Sequence, residues 1–245
     1  KAIRRQRQMC IRDSIKTICL NPNLPKNFKV TYTPLHGTGQ VFFPNVLKDL
    51  GYDINPVMCQ MTKDPDFSGV KTSNPENKEA YDESITYAKE IGAKLCLATD
   101  PDADRLGVAV LHNGEYILLT GNQSATVIFN YIVNEHLKRH EDLSNDYLFT
   151  TVVSGRLCTL IAKRHGIKVE TTLTGFKYIG DKARQIEGKG HYLFGYEESY
   201  GCLIKDSVRD KDSLQACIML CEAAAYYYTP VSYTHLRAHE TRGNL

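Results

Sequence analysis

No apolar run in the 245-residue sequence approaches the roughly 20 residues that a membrane-spanning helix needs, and the basic N-terminus has no apolar signal-peptide core. A soluble, cytoplasmic protein without a membrane partner is therefore expected. Eight cysteines occur, at positions 10, 19, 59, 96, 158, 202, 217 and 221, but none form a CxxC pair. That argues against zinc ligation, and their mostly apolar surroundings argue for reduced core thiols over disulfides. Tandem repeats and low-complexity tracts are also missing.

The slight formal net charge of +2 depends on the two ends. Val231 to Leu236 reads VSYTHL, and a DNA string encoding it has a reverse complement that encodes MCIRD, which is Met9 to Asp13. The longer strings RRQRQMCIRDS and VSYTHLRAHET resemble translated sequencing-library adapters, so segments 1–14 and 231–245 are expected to be non-native. Without them 23 basic residues face 26 acidic ones, a formal charge of −3. The basic N-terminus then carries no argument for nucleic acid, and no nucleic-acid partner is expected.

What the sequence does have is a concentrated acidic stretch, KLCLATDPDADRLGVAV, from Lys94 to Val110. An apolar run stops at Asp100, Asp102 and Asp104 and resumes at Leu106, which reads as strand, acidic loop, strand. Carboxylates at spacing two in an extended loop point the same way and converge on one cation, and oxygen-only ligation suits Mg2+. Arg105 would offer a forked donor to a phosphate beside the metal. The alternative is a solvated acidic turn. An EF-hand is excluded, because the places where its loop needs Gly and Glu hold Arg105 and Leu111.

Around this stretch the pattern predicts two consecutive α/β domains with mixed, mainly parallel sheets, at 15–120 and 121–230. In the first, strands are expected at 27–33, 53–58 and 94–99, helices at 41–50 and from Pro75 to Ile91, and a hairpin around His112, Asn113 and Gly114. PLHGTG follows the first strand, and its His36, Gly37 and Gly39 could present backbone N–H groups to an anion, or simply form a tight turn. In the second, helices at 122–136, 155–165, around 183–186 and 213–228 alternate with strands at 147–153, 167–172 and 192–194.

Strand ends of the second unit carry LTGFKYI and GYEESYG. Lys177 is a candidate point charge for a phosphate, or an ordinary solvated lysine. Glu197, Glu198 and Ser199 could each hold a sugar hydroxyl, with Gly195 and Gly201 allowing close backbone approach; a polar surface loop is the alternative. VRDKDS adds Arg209 and Lys211 as further phosphate partners, or as a charged start to the last helix.

Taken in order, TPLHGTG, the DPDF to SNPE loop, TDPDADR, GNQ, LTGFK, GYEESYG and RDKD resemble the α-D-phosphohexomutase superfamily, in its phosphoglucomutase and phosphomannomutase branch. The resemblance runs from about residue 20 to 228 and matches the second and third of that family's four domains. It implies Mg2+ on Asp100, Asp102 and Asp104, catalytic roles for Arg105 and Lys177, and substrate contacts from Gly175, Lys177, Glu197, Glu198, Ser199 and Arg209. It implies a hexose phosphate substrate, with a lean toward glucose, or a pentose phosphate, isomerised through a phosphoserine and a bisphosphate intermediate. Neither a TASHNP-like serine loop nor an RxSGT-like phosphate loop occurs in the sequence. An internal fragment lacking domains 1 and 4, inactive alone, is the expectation. An Asp-nucleophile phosphatase and a non-catalytic sugar-phosphate and Mg2+ module are the competing readings.

Overall fold

Each apolar run of the first unit becomes a strand of a single sheet. The computed structural model describes residues 14–15 and 17–228, so the two suspect ends, apart from Ser14, lie outside the described residues. Strands β1 (Lys29–Thr33), β2 (Asp53–Pro56), β3 (Leu95–Thr99), β4 (Leu106–His112) and β5 (Glu115–Leu119) take the order β2-β1-β3-β4-β5. β1 runs parallel to β2 and β3, whereas β4 and β5 return antiparallel. All five residues of β3 are buried, which is what an unbroken apolar run requires in a central strand. Helices α1 (Phe43–Asp49) and α2 (Asp82–Ile91) make the crossovers. Gly92, with φ of 71°, closes α2 in the left-handed conformation, and Asn113 and Gly114, both with positive φ, form the hairpin turn.

The second unit repeats the plan. It comprises α3 (Gly121–Lys138), β6 (Asp146–Thr151), α4 (Leu157–Arg164), β7 (Lys168–Thr172), α5 (Phe176–Gln185), β8 (His191–Tyr196), β9 (Cys202–Leu203) and α6 (Ser213–Tyr227). The strand order is β7-β6-β8-β9, with β9 antiparallel to β8. Thr120 and Gln123 start α3 with a reciprocal capping box, and the Asp212 carboxylate caps α6 by accepting from the amides of Leu214 and Gln215. Two α/β/α units with mixed sheets are thus observed, as the pattern predicts.

Several element boundaries differ from the sequence expectation; the helix expected around 183–186 already begins at Phe176, within LTGFKYI, and three others have a visible local cause. The helix expected from Pro75 begins only with a 3₁₀ turn at Lys78–Tyr81, because the Pro75 carbonyl accepts the Tyr81 hydroxyl at 3.1 Å and the Asn74 side chain caps the Glu76 amide. The strand expected to reach Val153 stops at Thr151, whose hydroxyl pairs with Ser154 at 2.8 Å. The strand expected through Met58 stops at Pro56, which has no N–H to extend the ladder. β9 was not foreseen; two residues carry no usable periodicity.

The units share a core. One apolar cluster takes in Val30, Leu97 and Val108 from the first sheet with Ile128, Phe194 and Leu220 from the second unit. Glu222 of α6 lies within that shared region, fully buried, and its Oε1 accepts from the amides of Leu20 and Asn21 at 2.8 Å each and from the Tyr131 hydroxyl at 2.9 Å. The segment leading into β1 is thereby tied to α3 and α6. Glu222→Ala strands the buried Tyr131 hydroxyl and two half-buried amides, so a loss of about 3 kcal/mol in unfolding free energy is expected; a urea titration showing a change below about 0.5 kcal/mol would mean that the network contributes nothing.

Candidate active site at the strand ends

The apolar β3 delivers the chain to Asp100, whose own carboxylate folds the loop that follows. Asp100 Oδ1 accepts from the amides of Asp104 at 3.1 Å and Arg105 at 2.9 Å, and Ala103 takes a positive φ of 62° with its amide on the Asp100 carbonyl. This tight turn brings one oxygen each from Asp100, Asp102 and Asp104 within 4.8 Å of one another. Asp100 is buried, Asp104 half-buried and Asp102 exposed. Burial, with proton-sharing contacts to Asp102 and Asp104 added and the Arg105 amide opposing, pushes the Asp100 carboxyl up to about 7. Asp104 Oδ1 is buried without a hydrogen-bond partner. Three hard oxygen donors, one of them unsatisfied, fit a cation such as Mg2+.

Arg105 stays beside the cradle. Its Nη1 meets Glu76 Oε1 at 2.9 Å, and its Nε lies 3.8 Å from both Asp100 Oδ2 and Asp104 Oδ1. Glu76, in the SNPE stretch, therefore aims the guanidinium, a role that sequence reading had not assigned. The PLHGTG loop packs against the acidic loop from the other side. There the expected anion cradle is not found: the Gly37 amide donates to the Pro34 carbonyl at 2.7 Å and the Thr38 amide to the Pro101 carbonyl at 2.8 Å. Gly37 and Gly39 serve close packing instead, since a Cβ would fall 2.3 Å from Pro101 Cα and 2.2 Å from the Tyr32 hydroxyl respectively. His36 is buried with Nδ1 2.8 Å from the Thr62 carbonyl, pinning the 62–75 loop.

In the second unit GYEESYG is the turn between β8 and β9. Glu197 is 4% exposed and its Oε1 accepts from the Gly175 amide at 2.7 Å, joining the loops after β7 and β8. Glu198 is held back by the hydroxyls of Thr151 and Ser154 at 3.2 and 3.3 Å, and Ser199 is half-buried in the same turn. Lys177, in the first turn of α5, is exposed, with its ammonium 5.0 Å from the Tyr178 ring centroid.

The two loops meet. The Leu106 amide donates to the Tyr200 carbonyl at 3.0 Å, the Ser213 hydroxyl donates to the Ala103 carbonyl, and Lys211 Nζ reaches Asp104 Oδ2 at 2.8 Å. Of the two bases in RDKD it is Lys211 that the fold brings to the acidic cradle. Arg209 pairs instead with Glu187 and with Asp206, the latter at 3.4 Å. Its long-range partner Glu187 is invisible to local pattern.

Residues 12–114 match the model for phosphoglucomutase/phosphomannomutase, alpha/beta/alpha domain II, and residues 120–239 that for domain III. Phosphoglucomutase of Staphylococcus epidermidis (strain ATCC 35984) is 39% identical over 201 residues, 81% of this chain and 36% of that protein. Phosphoglucomutase of Staphylococcus aureus (strain N315) is 35% identical over 205 residues, 82% and 36% respectively. The chain thus spans about a third of these curated relatives. Among solved structures, a phosphoglucomutase/phosphomannomutase family protein from Burkholderia thailandensis superposes with a TM-score of 0.69 at 19% identity, covering 90% of this chain and 45% of that one. The open form of pp63/parafusin from Paramecium gives 0.62 at 18% identity, covering 91% and 38%. At such identities these two matches speak for the fold alone.

With Asp100 raised to about 7 against an ordinary carboxylate value of about 3.9, the folded protein holds this proton more tightly than the unfolded chain does. Its contribution to stability is full below pH ~4 and is lost as pH rises towards ~7. In EDTA, urea midpoints of the wild type are expected to fall across that window relative to Asp100→Asn, and a saturating divalent cation should cancel the fall; parallel profiles for the two proteins would contradict this.

Proposed function

The chain belongs to the phosphoglucomutase/phosphomannomutase family, as its second and third α/β/α domains, and on that premise we propose that it carries the metal-holding and sugar-recognising parts of a phosphohexomutase. The reaction is the interconversion of hexose 1-phosphate and hexose 6-phosphate, with glucose favoured because the curated relatives are named phosphoglucomutases. The observation that supports this most directly is the seam between the acidic loop and the GYEESYG turn, where Leu106 binds Tyr200 and Asp104 meets Lys211.

The residues divide the work. Asp100, Asp102 and Asp104 would hold Mg2+, which when bound supplies electrostatic relief to a phosphoryl group in transfer. Arg105, held by Glu76, adds a fixed positive charge on the flank of that cradle. Glu197 has one oxygen fixed by the Gly175 amide, so its second oxygen is oriented to accept from a sugar hydroxyl, and the Ser199 hydroxyl is placed two residues on. Glu198 is already engaged by Thr151 and Ser154 and braces the turn rather than gripping the sugar. Exposed Lys177 is free to meet a phosphate at the mouth of the site. The phosphoserine nucleophile and the distal phosphate clamp would come from the family's first and fourth domains, for which the 245 residues contain no matching serine or phosphate motif. A cytoplasmic setting accords with seven described cysteines that are all free thiols. A phosphatase using Asp100 as nucleophile is disfavoured, because it would leave the Glu197–Gly175 link between the strand-end loops of the second unit without a role.

Glucose 1-phosphate with Mg2+ is expected to shift the amide resonances of Gly175 and residues 196–201, and Glu197→Ala should weaken binding at least tenfold, the cost of leaving buried polar partners unpaired. The 245-residue chain should yield no glucose 6-phosphate, even with glucose 1,6-bisphosphate added. Unchanged affinity in the variant, or turnover by the chain alone, would overturn the reading.

A further inference from the structure

Lys211 belongs to the second unit, yet its ammonium rests on a carboxylate of the first. The side chain is 14% exposed, and its stem runs across Gly201, where a Cβ would sit only 2.1 Å from Lys211 Cδ. Gly201 is therefore the space through which this lysine reaches Asp104. The Asp104 carboxylate faces its ammonium directly, with Glu197 and Asp210 behind.

The two oxygens of Asp104 are unequal. Oδ2 is occupied by Lys211 at 2.8 Å, while Oδ1 is buried and lacks a hydrogen-bond partner. A divalent ion drawing on Asp100, Asp102 and Asp104 would share the Asp104 carboxylate with an ammonium, and cations a few Å apart in a half-buried site repel strongly. We propose that Lys211 is a resident counter-cation of the acidic loop, displaced when a divalent metal binds and taken up by Glu197, so that metal loading moves one positive charge from the metal loop to the sugar loop. The proposal rests on the reading of the three aspartates as a metal site. It accounts for three carboxylates tolerating one another without a metal, and it couples the two units: whatever metal gains by expelling Lys211, the seam between the units loses.

Calorimetric titration of the 245-residue chain with Mn2+ tests it. Lys211→Met keeps the stem over Gly201 and removes the charge, and is expected to bind Mn2+ about tenfold more tightly than the wild type; Lys211→Gln should move in the same direction, and Lys211→Arg should stay within about threefold of the wild type. A second readout needs no affinity: the dimethylamino resonance of reductively methylated Lys211 should shift on adding Mg2+, and Glu197→Gln should reduce that shift. Equal or weaker Mn2+ binding by Lys211→Met and Lys211→Gln would overturn the competition while leaving the metal site standing. Failure of the wild type and both neutral variants to bind, matching Asp102→Asn, would overturn the competition and the metal reading together.

Discussion

Carboxylate oxygens gathered within 4.8 Å repel, and much of the molecule is arranged to hold three of them there. The turn is built from within, since Asp100 accepts two amides of its own loop, and it is pressed from outside by Pro101 against Gly37 and Thr38. Charge is balanced from two directions, by Arg105 held on Glu76 and by Lys211 arriving from the other unit. The second balance survives only while the two α/β units keep their relative positions. The joint core of Val108, Ile128 and Leu220 and the buried Glu222 network supply that fixity.

The sugar-side loop follows the same logic with opposite emphasis. Where the acidic loop is folded by a carboxylate accepting from its own backbone, Glu197 reaches across to the Gly175 amide and so fixes one strand-end loop against the next. A turn held between the paired β8 and β9 has little backbone freedom left. The two adjacent acids take different partners, Glu198 bracing the turn on Thr151 and Ser154 while Glu197 ties it to Gly175.

Much of this was readable in advance, and the reason is local chemistry. The strand, acidic loop, strand reading of 94–110, the Asn113–Gly114 hairpin and the Gly92 helix stop all depend on contacts within a few residues, and the structure has them where expected. The Pro75 helix start and the strand to Val153 fail because a carbonyl that continued secondary structure would have used is taken locally, that of Pro75 by the Tyr81 hydroxyl and that of Thr151 by the Ser154 amide. The glycine loop at 37–39 has the composition of an anion cradle, but its amides are claimed by Pro34 and Pro101, a competition that composition does not register.

Sequence alone determined the two α/β units, the family resemblance and the clustering of Asp100, Asp102 and Asp104, because carboxylate spacing and apolar period are properties of neighbours along the chain. Tertiary structure decided which charges serve those aspartates. Arg209 and Lys211 stand two residues apart in one charged run; the carbonyl of Arg209 packs on Gly180 and its guanidinium finds Glu187, while Gly201 opens the path for Lys211 to Asp104. A choice between equal charges is made by the space around each side chain and by partners brought in from distant sequence, and both come into being only when the chain has folded.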